Sequence, residues 1–252
     1  MTVPLPLPES RTFPVRLLWT GGWDSTFRLC FLLLVEKRPV EPHYVITTGR
    51  QSFAAEIRAM ARMKQVLLET HGVPADLLLP TRFVDVTDLR PDATTAAQMQ
   101  ALKGVEYLGR QYEHLARYAR QLSLDGLELS VHRDDRAFAF LDGEVKRVNG
   151  MDGSPIYTLV EKPRNPNLEL FRGFQFPLFA MTKLEMEEQA RRHGFAPVME
   201  LTWFCHKPLP GDIPCGHCRP CGYAIEEGMA RRLPWASRLR HYARRIRNKF
   251  GL

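Results

Sequence analysis

Residues 15–26, VRLLWTGGWDST, restrict the fold more than any other stretch. A continuous β-rich apolar run at 15–20 enters two glycines, and a helix-forming run from Asp24 to Glu36 leaves them. An unbroken apolar strand implies burial on both faces, which a parallel sheet covered by helices provides. The pattern recurs downstream. HYVITT (43–48) reads as a strand, followed by a helix over 52–72 with Ser52 as N-cap and Gly72 as its stop. RFVDV (82–86) reads as a third strand, 93–122 as helix broken at Gly104 or Gly109, and GLELSV (126–131) as a fourth strand. Four alternations predict an α/β domain with a parallel sheet flanked by helices. Residues 135–175 interrupt the rhythm. A hairpin is expected at Asp142-Gly143, loop over EKPRNPNLELFRG, a short apolar piece at FPLF, and a helix over 182–194 opened by a Thr182/Glu185 capping box.

The turn between the first strand and helix has the composition of a phosphate cradle. Gly21 and Gly22 let the backbone approach a ligand closely, and the helix start points N–H groups at it. The hydroxyls of Thr20, Ser25 and Thr26 add donors, and Trp23 lies within the same turn. A carboxylate among phosphates is repelled unless a cation lies between them, so Asp24 implies Mg²⁺. No Lys follows the glycines as a Walker A loop requires. TGGWDST instead resembles the SGGxDS loop of the PP-loop ATP pyrophosphatases, with Thr20 keeping the first hydroxyl. An ordinary glycine turn before a helix is the plainer alternative.

Of five cysteines, Cys30 stands alone in an apolar helix and reads as core. Cys205, Cys215, Cys218 and Cys221 form a C-x9-C-x2-C-x2-C array. Four thiolates at such spacing suit a structural Zn²⁺, with Gly216 easing the tight turn and Pro208, Pro210 and Pro214 stiffening the loop. An iron–sulfur cluster accepts the same ligands. His206 and His217 compete as ligands only if a sulfur is displaced.

No run approaches the ~18 apolar residues of a membrane span. The start, MTVPLPLPES, lacks the charge and apolar core of a signal peptide, so a cytoplasmic location is expected. The formal charge of +7 is uneven: residues 231–252 hold seven Arg, one Lys and no acid, which leaves −1 on the rest. The body is therefore a poor nucleic-acid surface. In the tail, Trp235, Leu239, Tyr242, Ile246 and Phe250 recur at helical spacing and make a basic amphipathic helix. Docking on the body or a partner subunit, RNA binding, and contact with an anionic membrane all fit it. VHRDDR (131–136) follows the fourth strand at the carboxyl end where such sheets bind ligands, so His132, Asp134 and Asp135 are pocket candidates; a solvated charge cluster fits equally.

The glycine turn, PLFAMTKLEM (177–186) and ELTWFCHKP…PCGHCRPC together resemble the 7-cyano-7-deazaguanine synthases, which carry SGGxDST, a TKxE helix start, and LTWSC followed by CGxCxxC in that order. The resemblance implies a PP-loop (HUP-like) sheet with a zinc-binding segment. It implies an ATP-dependent ligase that adenylates 7-carboxy-7-deazaguanine and uses ammonia to form 7-cyano-7-deazaguanine, on the route to queuosine. Asp24, Ser25, Arg110 and Lys183 would serve the chemistry, Thr20 to Thr26 the nucleotide, and the four cysteines the metal. Arg110 carries over from a P-x-R-N helix start whose Asn is Gln111 here; Gly49 and Glu56 match the YGQRHxxE segment, whose His is absent. The implied organisation is a Pro-rich arm (1–14), a PP-loop domain (15–200), a zinc-binding segment (201–230) and a basic tail (231–252). Expected partners are the deazapurine, ammonia, a second copy in a homodimer, and RNA or a protein on the tail. Three other functions remain open: a related enzyme stopping at the amide or joining the deazaguanine to another amine, even a protein's; a PP-loop tRNA-modifying enzyme, for which Cys30 is the only thiol outside the metal set; and a zinc-bearing nucleic-acid module.

Overall fold

The computed structural model describes residues 13–47, 49–150 and 153–250, the last three by backbone alone. The expected arm therefore lies almost wholly outside the described residues, as do Thr48 of the second predicted strand and the side chain of Phe250. Strand β1 (Val15–Leu18) leads into α1 (Trp23–Cys30), which continues as a π-helical turn over Phe31–Val35. Then come β2 (Val40–Ile46), α2 (Phe53–Glu69), β3 (Arg82–Asp85), α3 (Ala93–Val105), α4 (Gln111–Gln121) and β4 (Leu127–Glu128). The second half holds α5 (Arg136–Leu141), β5 (Val145–Asn149), β6 (Pro155–Leu159), a 3-10 turn (Pro166–Phe171) and β7 (Phe174–Gln175). It closes with α6 (Lys183–Arg192), α7 (Ala196–Glu200), α8 (Arg219–Glu226) and α9 (Trp235–Phe250).

Five strands form a parallel sheet in the order β3-β2-β1-β4-β7. Alternation along β1 sends Val15, Leu17 and Trp19 to one core with Phe27, Leu32, Met63 and Phe195, and Leu18 to another with Met99, Leu102, Tyr118, Leu127 and Phe176. The sheet is thus covered on both faces, as the unbroken apolar β1 predicts. Across it, Arg28 of α1 makes a bidentate pair with Glu128 of β4 (Nε–Oε2 and NH2–Oε1, both 2.8 Å), with side chains 5% and 2% exposed. Arg28→Ala would leave Glu128 charged and unpaired inside the protein. It is expected to lower stability by about 3–5 kcal/mol in urea unfolding.

Three local expectations need correction. Ser52 does not cap α2, because its own backbone is already helical and its hydroxyl donates to Glu56. Asp142-Gly143 turns α5 into β5; the hairpin is β5–β6, one element later, closed by a turn around Gly150 and Gly153. An unexpected fifth strand, Phe174–Gln175, lies between the expected loop and FPLF and pairs with Leu127 and Glu128, while FPLF itself turns away after it. The Thr182/Glu185 capping box at α6 is present. Among the described residues no helix is long and apolar enough to cross a membrane.

Candidate functional site

The chain winds from β1 outward to β2 and β3, then returns to place β4 on the other side of β1. The direction of winding reverses there, and parallel sheets open a crevice at the carboxyl ends of the strands beside such a point. A cleft with a cavity volume of about 170 Å³ lies there. Thr20, Gly22, Asp24 and Ser25 line it from the β1–α1 turn, and His43, Val45, Thr47 and Arg50 from β2 and the loop after it. Gln111, Tyr112 and His114 contribute from α4, and Ser130, Val131 and Asp135 from the segment after β4.

The turn is built as its glycines require. Gly21 has φ +71, and a Cβ there would lie 2.9 Å from Met60 Cγ and 3.3 Å from Met63 Cε. Its carbonyl accepts from Trp203 N–H at 2.8 Å, which ties the turn to the start of the cysteine segment. Gly22 is the N-cap of α1, so the first-turn N–H groups keep no intrahelical acceptor. Thr20, Asp24 and Ser25 face the cleft. Thr26 does not: its buried hydroxyl accepts from Trp19 Nε1 at 2.9 Å and sits 3.7 Å from Met63 Sδ. Trp23 also turns away, packing on the first core beneath the Arg232 guanidinium, 5.6 Å from the ring centroid. Position explains both. In a helix, successive side chains diverge around the axis, so a motif of consecutive residues cannot present them all to one ligand.

Asp24 is the electrostatic centre. Burial raises its pKa, but the neighbouring His132 imidazole and the Lys183 ammonium outweigh that and leave it below the ordinary carboxylate value. His132, almost fully buried, brings Nε2 to 3.3 Å from Asp24 Oδ1. That oxygen is sealed from solvent, and His132 is its nearest polar neighbour among the described ion-pair contacts. His132 is pulled two ways. Asp134 N–H donates to its Nδ1 at 3.2 Å, favouring the neutral ring protonated on Nε2. Burial also lowers its pKa, yet Asp24 and then Asp135 outweigh it and leave it raised; the Asp134 carboxylate lies 3.8 Å from Nδ1. Asp135 caps α5, and burial beside Asp24 raises its pKa. Burial, then Asp135, hold the Tyr112 phenol well above its usual value. VHRDDR is therefore divided: Val131 and Asp135 line the cleft, His132 is buried behind it against Asp24, and Arg133, Asp134 and Arg136 are exposed.

Lys183 opens α6, where its N–H donates to Asp134 Oδ2 at 2.9 Å and its Nζ to Glu227 Oε2 at 2.8 Å. Burial lowers its pKa, but Asp24, Glu227 and Asp134 raise it further. Arg110 is exposed at the N-cap of α4 and lines a separate surface hollow with Lys103 and Tyr107. The next turn of α4 presents Gln111, Tyr112 and His114 to the cleft instead. The cation that does line the cleft is Arg50, which sequence reasoning missed. Its NH2 pairs with Glu56 Oε1 at 3.0 Å and its Nε donates to Ser52 Oγ at 2.9 Å. Glu56 is buried and also accepts from Tyr44 Oη at 2.6 Å, so it fixes Arg50. The available signal was position: Arg50 follows the carboxyl end of a strand next to β1.

The four cysteine sulfurs all lie within 4.8 Å of one another. Separations are 3.9 Å (Cys215–Cys221), 3.8 Å (Cys205–Cys218) and 3.4 Å (Cys218–Cys221). A tetrahedron with Zn–S bonds of ~2.3 Å needs edges of ~3.8 Å. Backbone N–H groups of Cys215, His217 and Cys218 point at the sulfurs of Cys205 and Cys215, as anionic thiolates require. These residues fit a bound metal ion. Gly216 has φ +82, and a Cβ there would lie 2.0 Å from the Ser237 carbonyl oxygen, so α9 packs directly on the loop. Arg58 of α2 grips Asp212 through two hydrogen bonds of 2.6 and 2.5 Å and holds the loop against the body. Compared with known proteins, the chain matches no family profile and no curated protein.

Proposed function

We propose that this protein is an ATP-dependent ligase that adenylates 7-carboxy-7-deazaguanine and uses ammonia to form 7-cyano-7-deazaguanine. The observation that carries the reading is an ionised Asp24 beside a glycine turn, in a cleft at the carboxyl ends of a parallel sheet. A Mg²⁺ bound at Asp24 would offset the charge of the triphosphate, and zinc at the four cysteines would be structural. The cleft volume is below the ~300 Å³ at which small-molecule sites begin. A nucleotide would fill it and extend from its mouth. Leu18, Leu129, Val131 and Tyr112 offer flat or apolar walls to a heterocycle. Arg50 on the cleft wall would supply positive charge where a carboxylate and a triphosphate must meet, with Lys183 acting on Asp24 from behind.

In the proposed chemistry a substrate carboxylate oxygen attacks the α-phosphorus and pyrophosphate leaves. Ammonia attacks the acyl carbon, expelling AMP and giving the amide. A second ATP adenylates the amide oxygen, and loss of AMP and the remaining N–H protons gives the nitrile. Incubation with ATP, ammonia and 7-carboxy-7-deazaguanine, followed by mass spectrometry, is expected to reveal the nitrile and one AMP for each adenylation. Absence of substrate-dependent AMP would overturn the proposal. A stable amide, or a conjugate to another amine, would favour the reading that keeps adenylation and changes the acceptor. The outward Arg110 and the Gln111-bearing wall motivate that alternative. A tRNA thiolase needs an accessible thiol outside the metal set. Cys30 is fully buried, and burial raises its pKa.

A further inference from the structure

Helix α9 is oriented the wrong way round for a surface helix of a soluble domain. Its polar side lies on the protein. Ser237 Oγ donates to the Pro214 carbonyl at 2.5 Å, Arg240 Nε to the Cys215 carbonyl at 3.0 Å, and Arg244 NH1 to the His217 carbonyl at 3.0 Å. His241, on the same side, is buried. At about 100° per residue, Trp235, Leu239, Tyr242 and Ile246 fall within a stripe about 60° wide on the opposite side. These side chains are 69%, 57%, 49% and 58% exposed. Arg238 and Arg245 border the stripe on one side; on the other, Ala243 and Ala236 lie next to it and Arg247 beyond them. Arg238 and Arg247 have no acidic partner within ion-pair distance among the described residues, and Arg245 reaches Glu226 only at 3.9 Å. Outward apolar groups edged by cations of one sign describe a helix that lies in the surface of an anionic bilayer.

We propose that α9 seats the protein on an anionic lipid surface. The four apolar side chains enter the headgroup region and the bordering arginines contact lipid phosphates. The charge pattern selects this occupant. A second copy paired through the same helix would bring one arginine border against another, with no acid in residues 231–252 to offset them. RNA fits the arginines and has Trp235 and Tyr242 to stack on, but it would leave the exposed Leu239 and Ile246 between them in water. A bilayer offers anions along both edges and needs no matching acid positions. Ser237, Arg240 and Arg244 are already engaged by the loop carbonyls, so seating through the opposite side would leave those bonds in place. Seating on lipid through α9 does not depend on the chemistry in the cleft.

Flotation of the full-length, metal-loaded protein tests this, using vesicles of phosphatidylglycerol mixed with phosphatidylcholine and vesicles of phosphatidylcholine alone. Binding is expected to the first, to weaken as salt rises, and to be at least about tenfold weaker to the second. The double variant Leu239→Asp/Ile246→Asp is expected to bind the anionic vesicles at least about tenfold less while keeping wild-type metal content and circular dichroism. Arg238→Ser/Arg247→Ser should weaken binding to the anionic vesicles selectively. No flotation, or flotation unchanged in the Leu239/Ile246 variant, would overturn the proposal. So would a dimer or an RNA complex that needs the apolar stripe and excludes vesicles.

Discussion

Removing metal from the four-cysteine site is expected to unfold the protein from Trp203 to the end of α9 and leave the parallel sheet standing. The buried cluster in this region consists of Cys205, Cys215, Cys221, Ala224 and Leu233. Three of those five would be ligands, and the other apolar side chains packed on them, Trp203, Phe204, Leu209, Ile225 and Met229, are only partly buried. Structural zinc sites of this kind contribute about 10–16 kcal/mol of apparent binding free energy, which in so small a module is folding free energy. Helix α9 rests on the loop through carbonyl hydrogen bonds and the close approach at Gly216, so it should be released as well. Elemental analysis should find one zinc per chain. Strong chelation, or Cys215→Ser, should abolish hydrogen-exchange protection across 203–247 while amides of β1, β2 and α2 stay protected. Protection that survives metal loss would show that the segment is held by packing instead. Brown colour and visible absorbance would identify an iron–sulfur cluster.

The second large effect concerns Asp24. Asp24→Asn is nearly isosteric but removes the charge that a bound cation would need, and that His132 and Lys183 now face. Loss of one group stabilising charge at a reacting phosphate costs about 10²–10³-fold in turnover, and substrate-dependent AMP release should fall by that much or more. Circular dichroism should be unchanged, and any fall in thermal stability should reflect only the lost attraction to His132 and Lys183. Thr26→Ala makes the contrast. Its hydroxyl is committed to Trp19, so it should lower stability and leave AMP release near wild type. Equal turnover in wild type and Asp24→Asn would remove the basis for the proposed chemistry.

Features set by short-range chemistry could be read from the sequence, and features set by long-range pairing could not. The β1–α1 turn was readable because two glycines interrupt one periodicity and begin another. The cysteine cluster was readable because a two-residue gap folds back on itself. The capping box at Thr182 needs only its own four residues. Strand β7 escaped because two residues, Phe174 and Gln175, carry no alternation and owe their conformation to Leu127 and Glu128. The hairpin was displaced because Asp-Gly suits a turn after a helix as well as one between strands. Arg110 and Arg50 exchanged places for a similar reason. Where α4 begins decides which residues face inward, and the loop after β2 reaches the cleft only because β2 lies next to β1.

The hydrogen bond from Trp203 N–H to the Gly21 carbonyl joins residues far apart in the chain and confines length variation between them. An added residue between α7 and Trp203 would either break that bond or drag the glycine turn with it. The 207–211 stretch, which carries its own turn and no ligand, can absorb extra chain without moving either end. Related sequences are therefore expected to differ in length within the proline-rich span between Cys205 and Cys215, and to keep a fixed count from the end of α6 to Trp203.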